Sequence, residues 1–304
     1  MKLLDAIKEQ NYPVPAHSMR LSYMFGGIAA FLLVPLAVTG VLLAYYGYVP
    51  SAEQAHKTAA DATVFGSLAG IRAVHSLTAE LFLALIFLHA TRIVVTRSYH
   101  GERKIIWYTG VVLLFVAAFF FLTGTTLKLD QAGYETYAHL TLFTSVNQVW
   151  FRGAHVILLP ILIVVILGVH ALLIKEKKIS PLAPGRRSDD EPDSTFFHHM
   201  QHVVAYGFIA TSVAFLLAAF YTPPLLGAPV EGVEWTKPPW PFLFLYPLNS
   251  WALISIPLAA FAGLVALPFL TKPEKRFDLS QAIYFVVVAL WFGLSLYGAF
   301  KHYA

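Results

Sequence analysis

Four of the chain's 12 histidines, His75, His89, His155 and His170, fall inside long apolar stretches, where a polar side chain is expensive and usually functional. Their spacing sharpens the point. His75 and His89 are fourteen residues apart, His155 and His170 fifteen. At about 100° per residue these intervals leave offsets of about 40° and 60°, so each pair shares one face of its helix. A rise of about 1.5 Å per residue separates the two members of a pair by about 21 Å along the axis. Two antiparallel helices marked in this way present two facing pairs, one near each membrane surface. Facing neutral imidazoles are suitable axial ligands for haem iron. Pairing by depth predicts His75 with His155 and His89 with His170. The alternative is four separate histidines, each bonded to a backbone carbonyl or to water.

Glycines carry the same interval on two further stretches. Gly26 and Gly40, and again Gly110 and Gly124, are fourteen residues apart. Missing side chains at two depths would let a flat macrocycle approach the backbone; ordinary small-residue helix packing is the other account. Arg72 precedes His75 by three residues, Arg92 follows His89 by three, and Arg152 precedes His155 by three. Arginines so placed could pair with haem propionates or anchor their helices by snorkelling. Glu80, five residues beyond His75, is an intramembrane carboxylate that needs a partner or a proton.

The elements that must position these groups follow from composition. The 304 residues are 58% hydrophobic and only 12% charged, about half the charged fraction of a soluble domain. Seven apolar runs are long enough to cross a bilayer as helices: 21–47, 72–96, 105–127, 152–174, 199–221, 248–271 and 279–300. The runs are continuously apolar rather than alternating, which favours helices over a barrel. Residues 1–20 are polar and the first apolar run is too long for a signal-peptide core, so no cleavable signal is expected. The absence of cysteine excludes disulfides, thioether-linked haem and cysteine-ligated clusters or zinc carried by this chain.

The net charge of +4 is not gathered into a patch that would suit nucleic acid. Instead the cations alternate in sides. Segments 1–20, 92–104, 175–187 and 272–276 hold 15 of the 21 lysines and arginines, which places the N-terminus in the cytoplasm and the C-terminus on the positive side of an inner, cytoplasmic membrane. His75 and His155 then belong to the positive side, His89 and His170 to the negative side. The polar stretch KEKKISPLAPGRRSDDEPDS reads as a cytoplasmic connector dividing four helices from three. Segment 222–247, with seven prolines and three tryptophan or tyrosine rings, is too apolar for a free loop and suits the membrane interface.

With these residues in place, the chain resembles the cytochrome b family of bc- and bf-type quinol oxidoreductases. The resemblance is carried by FGGIAAFLLVPLAVTGVLLAYY, IRAVHSLTAELFLALIFLHATR, IIWYTGVVLLFVAAFFFLTG and RGAHVILLPILIVVILGVHALLIKEKKISPL. The four-helix part is closest to the bf-type subunit, and residues 199–300 resemble the family's C-terminal helices, fused here into one chain. The resemblance implies an all-α membrane protein with seven transmembrane helices, a dihaem four-helix bundle over 1–178, a linker over 179–198 and three C-terminal helices over 199–304. It implies two b haems carrying electrons across the membrane and quinone chemistry at one or both ends.

Departures from the family pattern bear on function. The family's LPWDQ stands here as LKLDQ, residues 127–131, and its PEWY as PPWP, residues 238–241. Pro239 thus occupies the place of a proton-accepting glutamate, and Glu80 is a candidate replacement; the other account of Glu80 is a protonated acid bonded to a neighbouring helix. Only 30 residues separate Gly124 from His155, so the short helices that roof the family's quinol pocket are expected to be trimmed. SYMFGG puts Met24 where the bf-type subunit attaches a further haem to cysteine, so a third covalent haem is not expected. His17 suits proton uptake at the cytoplasmic surface or a plain surface histidine, and His198, His199 and His202 read as an interfacial cluster. The partners expected are a quinone or quinol and redox subunits, an iron–sulfur protein other than a standard Rieske protein or a c-type cytochrome, within a complex that could hold two copies of the chain. Two alternatives remain at this point: a haem-bearing anchor and electron conduit for a dehydrogenase or hydrogenase, and a transporter whose histidines line a proton path.

Overall fold

The computed structural model describes residues 11–46, 57, 66–128, 130–141, 147–179, 192–249, 251–272, 275 and 277–301; most of the expected 179–198 linker lies outside them. The spans are α1 (Leu21–Tyr46), α2 (Gly66–Thr96) and α3 (Lys104–Thr126). Two short helices follow, α4 (Gln131–Thr141) and α5 (Gln148–Gly153), and α5 runs through a wide turn at Ala154–Leu158 into α6 (Leu159–Lys177). The C-terminal part holds α7 (Phe196–Phe220), α8 (Ala252–Leu270) and α9 (Leu279–Phe300). Among the described residues, seven helices are long and apolar enough to cross a membrane, α5 and α6 counting as one. The chain is a multi-pass, all-α membrane protein. Among the described residues, a two-stranded antiparallel ribbon joins β1 (Pro13–Pro15) to β2 (Pro192–Thr195) and pins the segment before α1 to the start of α7.

These helices are apolar around their whole circumference, so neighbouring helices cover one side and large side chains remain exposed on the other, such as Val164, Phe220 and Leu290. Bare apolar surface of this extent belongs against lipid or a partner subunit. Helix α1 packs on α2 and α7, α3 packs on α6 and α8, and α9 packs on α2 and on a tight turn at Trp240–Leu245. Glycines set the spacing of α1 and α7: a Cβ at Gly207 would fall 2.4 Å from Phe31 Cγ, and one at Gly27 2.8 Å from Val203 Cγ1. Met24, fully buried, packs here with Ile28, Leu32, Leu85 and Val203, so the position that carries the attaching cysteine in bf-type subunits is core in this chain.

A second core at the opposite flank joins Val94 and Tyr99 to Trp107, Leu267 and Tyr284. It is fastened by Asp278, the N-cap of α9. The Asp278 carboxylate accepts from Ser280 Oγ (2.6 Å), Lys272 N (2.9 Å) and Gln281 N (3.1 Å), with Arg97 Nη1 3.5 Å away. Gln281 returns the bond to the Asp278 backbone, closing a capping box. Burial alone would push this carboxyl up, but the Ser280, Lys272 and Gln281 hydrogen bonds and the Arg97 charge outweigh it and hold the group below its ordinary value. The stabilisation is therefore fully present at neutral pH and is lost as pH falls through that lowered value. Asp278→Ala, which leaves the Arg97 guanidinium buried without its carboxylate, is expected to cost about 3–5 kcal/mol. Thermal unfolding of the detergent-solubilised chain measures this, and the deficit should shrink toward acid pH.

Candidate cofactor site

The four-helix part brings the four intramembrane histidines into two groups. His75 of α2 and His155 face each other with ring centres 6.4 Å apart and ring planes inclined by 67°. Two metal–imidazole bonds of about 2 Å, with each nitrogen's distance from its ring centre added, span about 6 Å. One metal ion between the rings is thus geometrically allowed, and rings sharing an axis can be twisted freely about it. His89 and His170 line a cavity of ≈ 510 Å³ together with Gly26, Arg92, Trp107 and Gly110, within the range of cofactor pockets.

Each histidine lies against one of the four spaced glycines. A Cβ at Gly26 would fall 2.8 Å from His89 Cε1, at Gly40 3.2 Å from His75 Cε1, at Gly110 3.3 Å from His170 Cε1 and at Gly124 2.7 Å from His155 Cε1. Glycine order along α1 is the reverse of histidine order along α2, so the two helices are antiparallel; α3 and α6 are related in the same way. The glycines thus answer the histidines one to one, and a side chain at any of the four would invade the space an imidazole occupies.

Three of the four imidazoles are held by a threonine that precedes the glycine. His75 Nδ1 lies 2.9 Å from Thr39 Oγ1, His170 Nδ1 2.8 Å from Thr109 Oγ1 and His155 Nδ1 3.1 Å from Thr123 Oγ1. Each hydroxyl gives its single proton to its own helix, at Pro35 O (2.6 Å), Ile106 O (2.9 Å) and Phe120 O (2.9 Å) respectively. Its remaining lone pairs can only accept, so Nδ1 must carry the imidazole proton. His155 Nδ1 also reaches Phe120 O at 3.0 Å, a partner that cannot donate. The tautomer left to these three histidines has a bare Nε2, the form an axial ligand requires. The residues therefore fit two bis-imidazole haems. The repeated Thr-Gly dipeptides at 39–40, 109–110 and 123–124 were visible in the sequence, but their role required knowing which ring each faces.

His155 sits in the wide turn Ala154–Leu158, whose backbone bonds span five residues instead of four. Pro160 lies just beyond it and has no N–H to give to the carbonyl four residues earlier, a cause of such turns, which recur at functional sites. The turn accommodates one extra residue, so the fifteen-residue interval between His155 and His170 keeps the register of the fourteen-residue interval opposite.

The arginines divide. Arg92 lines the cavity of the second pair with its guanidinium 3.5 Å above the Tyr23 ring. Arg72 is buried and gives Nη2 to Pro223 O at 2.7 Å, and Arg152 gives Nη2 to Ala44 O at 3.3 Å. Arg103, overlooked in the sequence, also lines the cavity and donates to the Lys177 and Lys178 carbonyls. Glu80 is exposed on α2, two turns from Phe87, whose ring meets Trp291 of α9; Lys128 is the charge acting on it.

At the same end of the bundle, the LKLDQ segment proves to be a clamp. Asp130 caps α4 through Gly133 N (2.9 Å) and accepts from Leu226 N (3.1 Å). Gln131 accepts from Val230 N (2.7 Å) and donates to Val233 O and to Glu135 Oε1. Glu135, buried, accepts from the backbone of Trp235 and Thr236 and from Thr236 Oγ1. Segment 222–247 is thereby stitched to the end of α3. Pro239 is half-buried and opens the Trp240–Leu245 turn, accepting from Phe242 N at 2.9 Å. The connection expected to be trimmed holds one short helix among the described residues, the 11-residue α4, while the 6-residue α5 begins the fourth span. His17 is buried, 3% exposed, and its ring meets Tyr23 at 4.8 Å, so it is no surface residue: the 3-10 turn that holds it packs under α1. His198 and His202 do share a face, 4.7 Å apart, while His199 is buried. No group of three or more metal-binding side chains occurs among the described residues.

A sequence profile described as Cytochrome b/b6/petB matches residues 10–151. Over residues 10–151 the chain is thus similar to the cytochrome b family of the bc and bf kind. It is similar to a cytochrome b6 of Heliobacterium mobile, 29% identical over 203 residues that cover 59% of this chain and 93% of that one. It is also similar to the cytochrome b6 of Gloeobacter violaceus, 29% identical over 55% of this chain and 87% of that one. In fold, a solved chain of a hyperthermophilic respiratory Complex III superposes with a TM-score of 0.81 at 20% identity, covering 99% of this chain and 90% of that one. The structural match therefore extends the cytochrome b architecture across the C-terminal helices, which the sequence profile does not reach.

The glycine distances give a graded expectation. Alanine at Gly26 or Gly124, where the added carbon would come closer than 3.0 Å, should remove most of the haem from its own site. Alanine at Gly40 or Gly110, at 3.2 and 3.3 Å, should leave most of it bound. Haem content per purified chain for the four variants checks the order.

Proposed function

We propose that this chain is a dihaem b-type cytochrome, the membrane subunit of a quinone-linked electron-transfer complex, in which His75 and His155 hold the positive-side haem and His89 and His170 the negative-side haem. One observation carries the reading: two opposed histidine pairs at two depths, each ring backed by a glycine on the neighbouring helix. When bound, each haem accepts and passes on one electron. The chain's own residues fix the tautomers of three of the four ligands, back each ring with a glycine and place Arg92, with Arg72 at the other end, at the edges of the two sites for the propionates.

The two sites lie at opposite ends of α2, which suits transfer across the bilayer between a quinone and a redox subunit. The chain has no cysteine, and no group of three or more metal-binding side chains occurs among the described residues, so the proposed complex is completed by an iron–sulfur protein or a c-type cytochrome. Cation distribution supports a cytoplasmic N-terminus and a C-terminus on the positive side. The decisive experiment is a pyridine haemochrome assay with a reduced-minus-oxidised spectrum on the native complex. Two b haems per chain are expected, one lost in His75→Ala or His155→Ala and the other in His89→Ala or His170→Ala. A colourless chain expressed with ample haem would reject the reading in favour of a transporter.

Glu80 is the proposed proton acceptor for quinol at the positive side. Pro239 cannot accept a proton, and Glu135 has its carboxylate oxygens occupied by backbone and Thr236 donors. Glu80 is an exposed carboxylate on the haem-bearing helix α2, with Lys128 acting on it. Glu80→Gln should lower quinol oxidation by ~10²-fold or more and flatten its pH dependence while both haems stay bound. Unchanged turnover and pH profile would assign Glu80 to packing alone.

A further inference from the structure

The four ligand histidines are not equivalent. Where Thr39, Thr109 and Thr123 precede their glycines, Phe25 precedes Gly26. His89, the ring that lies against Gly26, is the ligand whose Nδ1 is buried without a hydrogen-bond partner among the described residues. Phe25 packs against the α1–α2–α7 core and offers that nitrogen nothing. A buried, unsatisfied N–H is costly and rare, and here it falls on one of four otherwise parallel sites. Room for a hydroxyl is not the obstacle in principle, since the same Thr-Gly arrangement is built at the other three places on α1 and α3.

We infer that this missing bond tunes the negative-side haem through Phe25, a positioning residue that acts by withholding a partner from His89. This rests on the dihaem reading above. An acceptor on Nδ1–H draws the proton away from the ring and makes Nε2 a stronger donor to iron, which favours the oxidised metal. His75, His155 and His170 have that acceptor in Thr39, Thr123 and Thr109. His89 does not, so the site it shares with His170 is the more weakly donating of the two and holds an electron more readily.

The test is spectroelectrochemistry of the native complex, with haem content measured on the same samples. Phe25→Thr should shift the reduction equilibrium of the negative-side haem, identified as the one lost in His89→Ala, about tenfold toward the oxidised form, ~59 mV for one electron, with the positive-side haem unmoved. Thr109→Val should shift the same haem the other way, and Thr109→Ser should restore it. Thr39→Val should move only the positive-side haem. Two haems retained with no shift in either Phe25→Thr or Thr109→Val would overturn this inference alone. Absence of haem from the unaltered chain would overturn the dihaem reading and this inference with it.

Discussion

The structure depends on keeping a gap open. Membrane helices pack by dispersion and close fit rather than by expulsion of water, so any space between them tends to collapse unless something is shaped to fill it. In this bundle the four imidazoles reach across to the opposite backbone and stop only because four glycines have no side chain. That contact fixes the separation of α1 from α2 and of α3 from α6. It also explains why histidine and glycine share an interval: they are two sides of one joint, repeated at two depths.

Around this joint the chain supplies order at lower cost. Threonine hydroxyls, which inside a helix would be expected only to bond back to the preceding turn, use that bond to dictate the proton position on the facing histidine. The same economy appears at the His75–His155 end, where Asp130, Gln131 and Glu135 bond six backbone groups of the proline-rich segment. A segment with seven prolines lacks the donors to organise itself, so its shape is borrowed from α4.

Much of this was legible in the sequence because periodicity on long apolar helices is a direct record of geometry. The seven spans, the two histidine faces and the matching glycines needed only the helical repeat. What could not be read depends on contacts between distant segments. LKLDQ was seen as a departure from a family pattern, and its clamping of residues 226–236 appears only once α4 is in place. The short helix α4 in the trimmed connection takes its role from segment 222–247, which lies about a hundred residues further along the chain. His17 lies just before the first apolar run, where a place at the surface is the simple expectation, whereas the β1–β2 ribbon folds that segment beneath Tyr23. Glu80's exposure likewise follows from which neighbours α2 lacks, something one strand of text does not contain.

The wide turn at Ala154–Leu158 has a bearing on how such a bundle can change over time. Inserting a residue into a helix rotates everything beyond it by about 100°, which would swing His155 or His170 off their shared face and away from the facing ring. Here the additional residue between His155 and His170 is taken up as a local bulge beside Pro160, and the rotation goes no further. His155 and His170 thus keep one face of the helix although fifteen residues separate them. What the two facing helices match is turns of helix, not a count of residues.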